Sequence, residues 1–270
     1  MFKTFLLLMG LMIFFLFIGR MLAGRKGMAI AFILALVMNG ISFWYSDTIV
    51  LKAYKAVPAE NGHRLQRLTQ ELAARAGMPA PKVYIIPSKS PNAFATGRSP
   101  DRAAVAATEG ILDILSDDEL RGVMAHELGH VYYRDTLIST VSASVAGSVM
   151  FLSRAALFFG GRDDGSRVKT IAVSIIAPVA ATIITMTLSR TREYEADEFA
   201  ARLTKKPESL VSALTKLTMS VKKSPMEDHS PETAHLFIVN PFSGSSLSEL
   251  FSTHPPMEKR IAKLWQIKIE

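Results

Sequence analysis

His126 and His130 stand four residues apart, and Glu127 directly follows the first of them. Residues four apart share one face of an α-helix, so a helix through this stretch aims two imidazoles at a single point. Glu127, one position on, lies at the edge of that face. From there its carboxylate can reach a water held at the shared point and take its proton. This is the physical content of the H-E-x-x-H pattern: two ligands for a metal ion and one base.

The surrounding residues predict the helix. Ser116-Asp117-Asp118-Glu119 has the S-x-x-E form of a capping box, with acids in the first turn where the helix dipole favours them. Leu120, Val123, Met124, Leu128 and Val131 then recur at helical spacing, and no proline occurs between 116 and 177. The bland alternative is two surface histidines beside a glutamate. A third ligand would count against it, and the stretch Arg192-Glu193-Tyr194-Glu195-Ala196-Asp197 offers one. On one helix Glu193 and Asp197 share a face while Glu195 points away. Glu193 is therefore the candidate third ligand, and Asp197 the candidate carboxylate that orients a ligand imidazole by accepting its other N–H. The rival reading is a solvated acidic cluster among Arg190, Arg192 and Arg202. A histidine third ligand just downstream is excluded, because Tyr133 and Thr136 occupy the glycine and histidine positions of the longer H-E-x-x-H-x-x-G-x-x-H pattern. His229, His235 and His254 remain distant competitors. His254, before Pro255-Pro256, is also a candidate donor to the oxyanion of peptide hydrolysis.

Composition points to a membrane. The chain is 49% hydrophobic with a net charge of +7, and its mean hydropathy is +0.23. The basic residues cluster beside apolar runs, as with Arg20, Arg25 and Lys26, then Lys52 and Lys55, then Arg162, Arg167 and Lys169. That placement suits anionic lipid headgroups, and no nucleic-acid motif accompanies it. With no cysteine, disulfides, thiolate ligands and cysteine nucleophiles are all excluded. Residues 4–19 and 27–45 are apolar runs, the second ending in Phe43-Trp44-Tyr45. Each is about the length that crosses the hydrocarbon of a bilayer as a helix. Lys3, Lys52 and Lys55 place both flanks of this pair in the cytoplasm, although Arg20, Arg25 and Lys26 pull the intervening loop the same way. No small-residue cleavage site follows the first run, so it reads as a retained anchor. Residues 137–159 and 170–188 form a second apolar pair, rich in small and hydroxyl side chains that suit helix contact in lipid.

Between and after these runs the chain is hydrophilic. Asn61 can cap a helix over 63–76 that Gly77 ends. Residues 82–87, 92–97 and 103–109 read as strands, and the edge of such a sheet can hold an extended substrate by main-chain hydrogen bonds. A helix starting at Pro207 and a last one over 257–267 follow, with an irregular stretch between them. The expected fold is mainly α with a small β-sheet, in a multi-pass membrane protein with a zinc metallopeptidase domain. A two-helix transmembrane hairpin at 1–56 precedes the first part of that domain (57–136, with the zinc helix). A second apolar pair at 137–188 separates it from the remainder (189–270, with the third ligand).

Four motifs in this order resemble one family: Asn92-Ala93-Phe94-Ala95-Thr96-Gly97, His126-Glu127-Leu128-Gly129-His130, Arg192-Glu193-Tyr194-Glu195-Ala196-Asp197, and His254-Pro255-Pro256 with Lys259-Arg260-Ile261. The chain resembles the HtpX-type membrane zinc metalloproteases, related to the Ste-type CAAX prenyl endopeptidases. The resemblance implies a gluzincin-type core, one Zn2+ per chain, and an active site on the cytoplasmic side of the inner membrane. It implies cleavage of misfolded or damaged membrane proteins under stress, alongside other membrane quality-control proteases. By position it makes His126, His130 and Glu193 ligands and Glu127 the catalytic base, with Asn92 and Ala93 holding substrate backbone. CAAX-type processing of a lipidated protein is the alternative, although four apolar runs fall short of the larger set of spans that encloses a chamber in those relatives. A non-catalytic scaffold stabilised by zinc is the other alternative, and Glu127 speaks against it, since a structural site needs no base.

Overall fold

The computed structural model describes residues 2–137, 190–223, 238 and 255–269. The chain divides into two compact units, residues up to Ser46 belonging to the first and 47–137 with 190–269 to the second. Helix α1 (Phe2–Ala53) begins in the first unit. It is not a straight rod. Gly24 has φ +60°, a left-handed value that glycine adopts at little cost. A Cβ on Gly19 would lie 2.5 Å from the Cβ of Ala31, whereas twelve residues of straight helix rise about 18 Å. The chain therefore folds back near Gly24, and only glycine fits at position 19. Ile13, Phe17, Ile30, Ile33, Trp44 and Tyr45 are exposed on this element. Among the described residues no helix is long and apolar enough to cross a membrane. The side chains at 2–8 and 21–23 of α1 lie outside that description, as do residues 138–189 with the second apolar pair expected there.

The second unit is built on a four-stranded sheet in the order β1-β2-β4-β3. β2 (Lys82–Ile86) and β4 (Ala104–Thr108) run parallel, while β1 (Val57–Pro58) and β3 (Ala93–Thr96) pair antiparallel at the two edges. Every residue of β3 and β4 is buried, and their alanines leave room for helices to lie close. Helix α2 (Arg64–Arg75) buries Leu65, Leu68, Leu72 and Ala73 as the spacing requires. Its cap is His63, not Asn61: the imidazole Nδ1 accepts the Leu65 N–H at 3.2 Å. Gly62 at φ +85° turns the chain ahead of His63 and leaves Asn61 exposed outside the helix. A short helix α3 (Glu109–Ile114), capped by Thr108, follows β4 and takes in Glu109, which the sequence places at the end of a strand.

Helix α4 (Asp117–Tyr132) is the centre of the unit. It packs on α2, on β3, on α5 (Arg190–Thr204) and on α6 (Pro207–Lys223). Its capping box is complete, with the Ser116 hydroxyl accepting the Glu119 N–H and the Glu119 carboxylate accepting the Ser116 N–H at 2.8 Å. A helix covered on every side needs side chains small enough to admit its neighbours. A Cβ on Gly122 would meet the Leu210 backbone of α6 at 2.9 Å, and one on Gly129 would meet the Ala196 Cα of α5 at 3.1 Å. The last helix, α7 (Met257–Leu264), starts after Pro256 and ends three residues sooner than its sequence suggests.

Glu119 also joins α4 to α6, accepting from the Ser212 hydroxyl at 2.6 Å and the Lys216 ammonium at 2.8 Å. Burial disfavours its carboxylate, but Lys216 and the two serines outweigh that and hold its pKa at about 2. A group with a depressed folded-state pKa stabilises the fold above its unfolded value and loses that contribution as pH falls through the folded one. Glu119→Ala is therefore expected to cost about 2–3 kcal/mol at neutral pH. Urea unfolding should show the gap to wild type narrowing as pH drops from 4.5 towards about 2.

Candidate metal centre

Helix α4 enters the site with its second half, and α5 crosses it at Gly129, where the missing side chain lets the two backbones approach. That crossing brings Glu193, from the first turn of α5, over the two histidines. The Nε2 atoms of His126 and His130 are 3.2 Å apart. One Glu193 oxygen lies 3.6 Å from His126 Nε2 and the other 3.5 Å from His130 Nε2. Among the described residues these three are the group of histidine, cysteine or acidic side chains able to hold one metal ion. Zinc bonds of about 2.0–2.1 Å at tetrahedral angles would put donor atoms about 3.3–3.4 Å apart, so the spacing fits. Charge fits as well. Glu127, Asp135, Glu193 and Asp197 are buried carboxylates, and Arg192 and Arg260 are the buried guanidiniums among them. Four negative charges against two positive leave a deficit that one dication closes.

Without a metal, protons partly fill that deficit. Burial pushes the Glu127 carboxyl up to about 7, with the Glu193 charge adding to the rise against the His130 and Arg260 charges and the Ala95 N–H. At His130 burial works against the charged imidazole, but Asp135, Glu193 and Glu127 outweigh it and the pKa rises to about 9. His126 goes the other way: burial dominates and keeps it neutral despite Asp197. A metal must therefore expel the His130 proton to bind. Metal affinity is expected to weaken about tenfold per pH unit as pH falls from 9 to 7, a slope that chelator competition at pH 7, 8 and 9 would measure.

The possible metal donors are braced from behind. His126 Nδ1 lies 2.9 Å from Asp197 Oδ1. Arg260, fully buried on α7, grips Asp197 with two hydrogen bonds of 2.7 and 2.8 Å and reaches Glu193 at 3.3 Å. Burial opposes both charges of this pair, yet their attraction holds the Asp197 carboxyl down at about 2 and the Arg260 guanidinium well above its usual range. His130 Nδ1 lies 3.5 Å from Asp135, which meets Arg192 at 3.2 Å. The rival reading of a solvated acidic cluster fails at Arg192, which is only 8% exposed. Sequence reasoning gave no role to Asp135, Arg192 or Arg260. The available signals were an acid just past the end of the histidine helix and arginines flanking otherwise buried acids.

Asn92 and Ala93 lie at the β3 edge. The Asn92 carbonyl accepts the Thr108 N–H at 2.9 Å. Antiparallel alternation then turns the backbone groups of Ala93 and Ala95 away from β4, and the Ala95 N–H bonds the Glu127 carboxylate. Glu127 thus stands between the possible metal donors and the side of β3 that β4 does not pair. The Asn92 carboxamide is occupied within the chain, its Oδ1 accepting the Ile238 N–H at 3.2 Å. His254, like His229 and His235, falls outside the described residues.

Comparison with known proteins follows this arrangement. The model of peptidase family M48 matches residues 59–268. A Protease HtpX homolog of Syntrophobacter fumaroxidans is 50% identical over 97% of this chain and 98% of its own length. One of Pyrococcus furiosus is 51% identical over 94% of this chain and 91% of its own. The crystal structure of S. mikatae Ste24p shares the fold at TM-score 0.53 and 22% identity, covering 86% of this chain, which spans 57% of that longer one.

Proposed function

We infer that this chain, which belongs to peptidase family M48 and is a metalloprotease, is a zinc-dependent endopeptidase of the cell's inner membrane that cleaves misfolded or damaged membrane proteins. The observation that carries the chemistry is the convergence of His126, His130 and Glu193 with Glu127 beside them and no cysteine in the chain. A zinc ion held by His126, His130 and Glu193 would supply Lewis acidity, polarising the scissile carbonyl and acidifying the attacking water. Glu127 takes the proton of that water as it attacks the scissile carbonyl, and returns it to the leaving amine. Asp197 and Arg260 keep the imidazole of His126 and the carboxylate of Glu193 aimed. His254 is the proposed further donor to the oxyanion. The side of β3 that β4 does not pair, at Ala93, is the proposed seat of an extended substrate segment, which would add to the sheet as a further strand.

Support for the bilayer as partner comes from the apolar runs at 4–19 and 27–45 and from the exposed Phe17, Ile33 and Trp44, each about 60% accessible. Apolar surface of that kind is not left facing water without a partner. The relatives named Protease HtpX homolog support a protein substrate. The test is cleavage of an unfolded model protein by full-length enzyme purified in detergent, stripped of metal and then given zinc. Zinc should restore cleavage in wild type and fail to do so in Glu193→Ala, whose metal affinity should fall by orders of magnitude. Cleavage without any metal would sink the reading, and cleavage only of a prenylated substrate would move it to CAAX-type processing.

A further inference from the structure

We propose that Asp135, locked by Arg192, is the positioning residue for His130; this rests on the reading of His126, His130 and Glu193 as zinc ligands. Helix α4 closes with the Tyr133 N–H on the Gly129 carbonyl and the Arg134 N–H on the Val131 carbonyl. Arg134 then takes φ +61°, a conformation uncommon outside glycine, and a further helical turn starts at Asp135. Asp135 comes to rest against the imidazole it has just passed, with Oδ2 3.5 Å from His130 Nδ1. Its other oxygen faces Arg192 Nε at 3.2 Å, and both side chains are buried. The next residue is anchored as well, since the Thr136 hydroxyl donates to the Gly97 carbonyl at 2.8 Å.

A neutral imidazole carries one proton. A carboxylate at Nδ1 keeps that proton there and leaves the Nε2 lone pair for a metal. His126 has this arrangement from Asp197 and Arg260. The Asp135 and Arg192 pair is the looser counterpart on His130, at 3.5 Å against 2.9 Å, with residues from different parts of the chain: a carboxylate behind the ring, and an arginine that faces its other oxygen. Arg192 directly precedes Glu193, so the same ion pair ties the end of α4 to the turn of α5 that presents the third ligand. Residues 135 and 192 also flank the apolar stretch at 137–188, so this pair is one of the contacts that join the chain on either side of that stretch at the site.

The test uses full-length protein in detergent, measuring the zinc dissociation constant by chelator competition and the urea midpoint of the zinc-free form. D135N/R192Q removes both charges of the pair together, with an isosteric amide at 135 and a shorter neutral side chain at 192. It should bind zinc about 10–100-fold more weakly with a zinc-free midpoint near that of wild type, a split that a merely structural pair would not give. D135R/R192D restores an ion pair but sets a guanidinium against the ring, so zinc binding should stay at least as weak. Asp135→Glu keeps the charge and displaces it by one methylene. It covers the case in which the double variant does not fold, and it should weaken zinc several-fold. Zinc affinity within twofold of wild type in D135N/R192Q or in Asp135→Glu, or its rescue in D135R/R192D, would overturn the proposal. Failure of the wild type to bind zinc would instead overturn the metal assignment on which it rests.

Discussion

Glu127→Gln is expected to lose kcat by about 10³-fold or more while binding zinc as wild type does. The amide is the size of the carboxylate and can still face the Ala95 N–H that the carboxylate accepts, but it cannot take a proton. Nothing among the ligands changes, since His126, His130 and Glu193 meet one another without it. Single-turnover cleavage and zinc content, measured on the same preparation, separate the two effects. A variant that still turned over within tenfold of wild type would remove Glu127 as the base. The pH profile should agree. Glu127 must be ionised to act, its carboxyl stands at about 7 in the metal-free site, and a neighbouring dication would draw it lower. Activity should therefore rise with pH along a limb at or below 7.

Arg260→Leu is expected to destabilise the zinc-free protein by about 3–5 kcal/mol, the cost of leaving one side of a buried ion network uncompensated. The guanidinium is fully buried and holds Asp197 at 2.7 and 2.8 Å, Glu193 at 3.3 Å and the Ile238 carbonyl at 3.3 Å. Without it, Asp197, Glu193 and Glu127 lose the guanidinium that lies among them, and His130 is the charged group left beside them. Two further results follow. Zinc should recover part of the loss, because a dication at the donors replaces some of the missing positive charge. Arg260→Lys should fall between wild type and Arg260→Leu, since an ammonium keeps the charge but cannot form the paired bonds to Asp197. Urea unfolding of the three proteins with and without zinc measures all of this. A midpoint for Arg260→Leu close to wild type would mean that the network does not hold α7 in place.

Local geometry decided what could be read directly from the residues. One helical turn puts His126 and His130 on the same side whatever surrounds them, and Ser116 with Glu119 closes the start of that helix through bonds between neighbours. The same holds for the strands at 82–86, 93–96 and 104–108 and for the buried stripe of α2, where alternation and helical period reach only a few residues along the chain. The cap of α2 was misread because Gly62 turns the backbone ahead of His63, and such a turn leaves no mark in hydrophobic spacing.

What only the tertiary structure decided lies between elements far apart in sequence. Glu193 is 63 positions beyond His130, and it reaches the histidines because Gly129 lets α5 cross close to α4. Arg260 looks from its neighbours like one more cation on a short amphipathic helix, yet it is buried against Asp197. Arg192 looks like a solvated charge, yet it pairs with Asp135 behind His130. A charged side chain has no periodic signature that says whether it faces water or a buried partner. That depends on whether a counter-charge arrives from another element, and the arrival is settled by packing. The sequence by itself therefore determined a helix presenting two imidazoles and a carboxylate, and the tertiary structure determined which distant carboxylates and arginines complete and brace that centre.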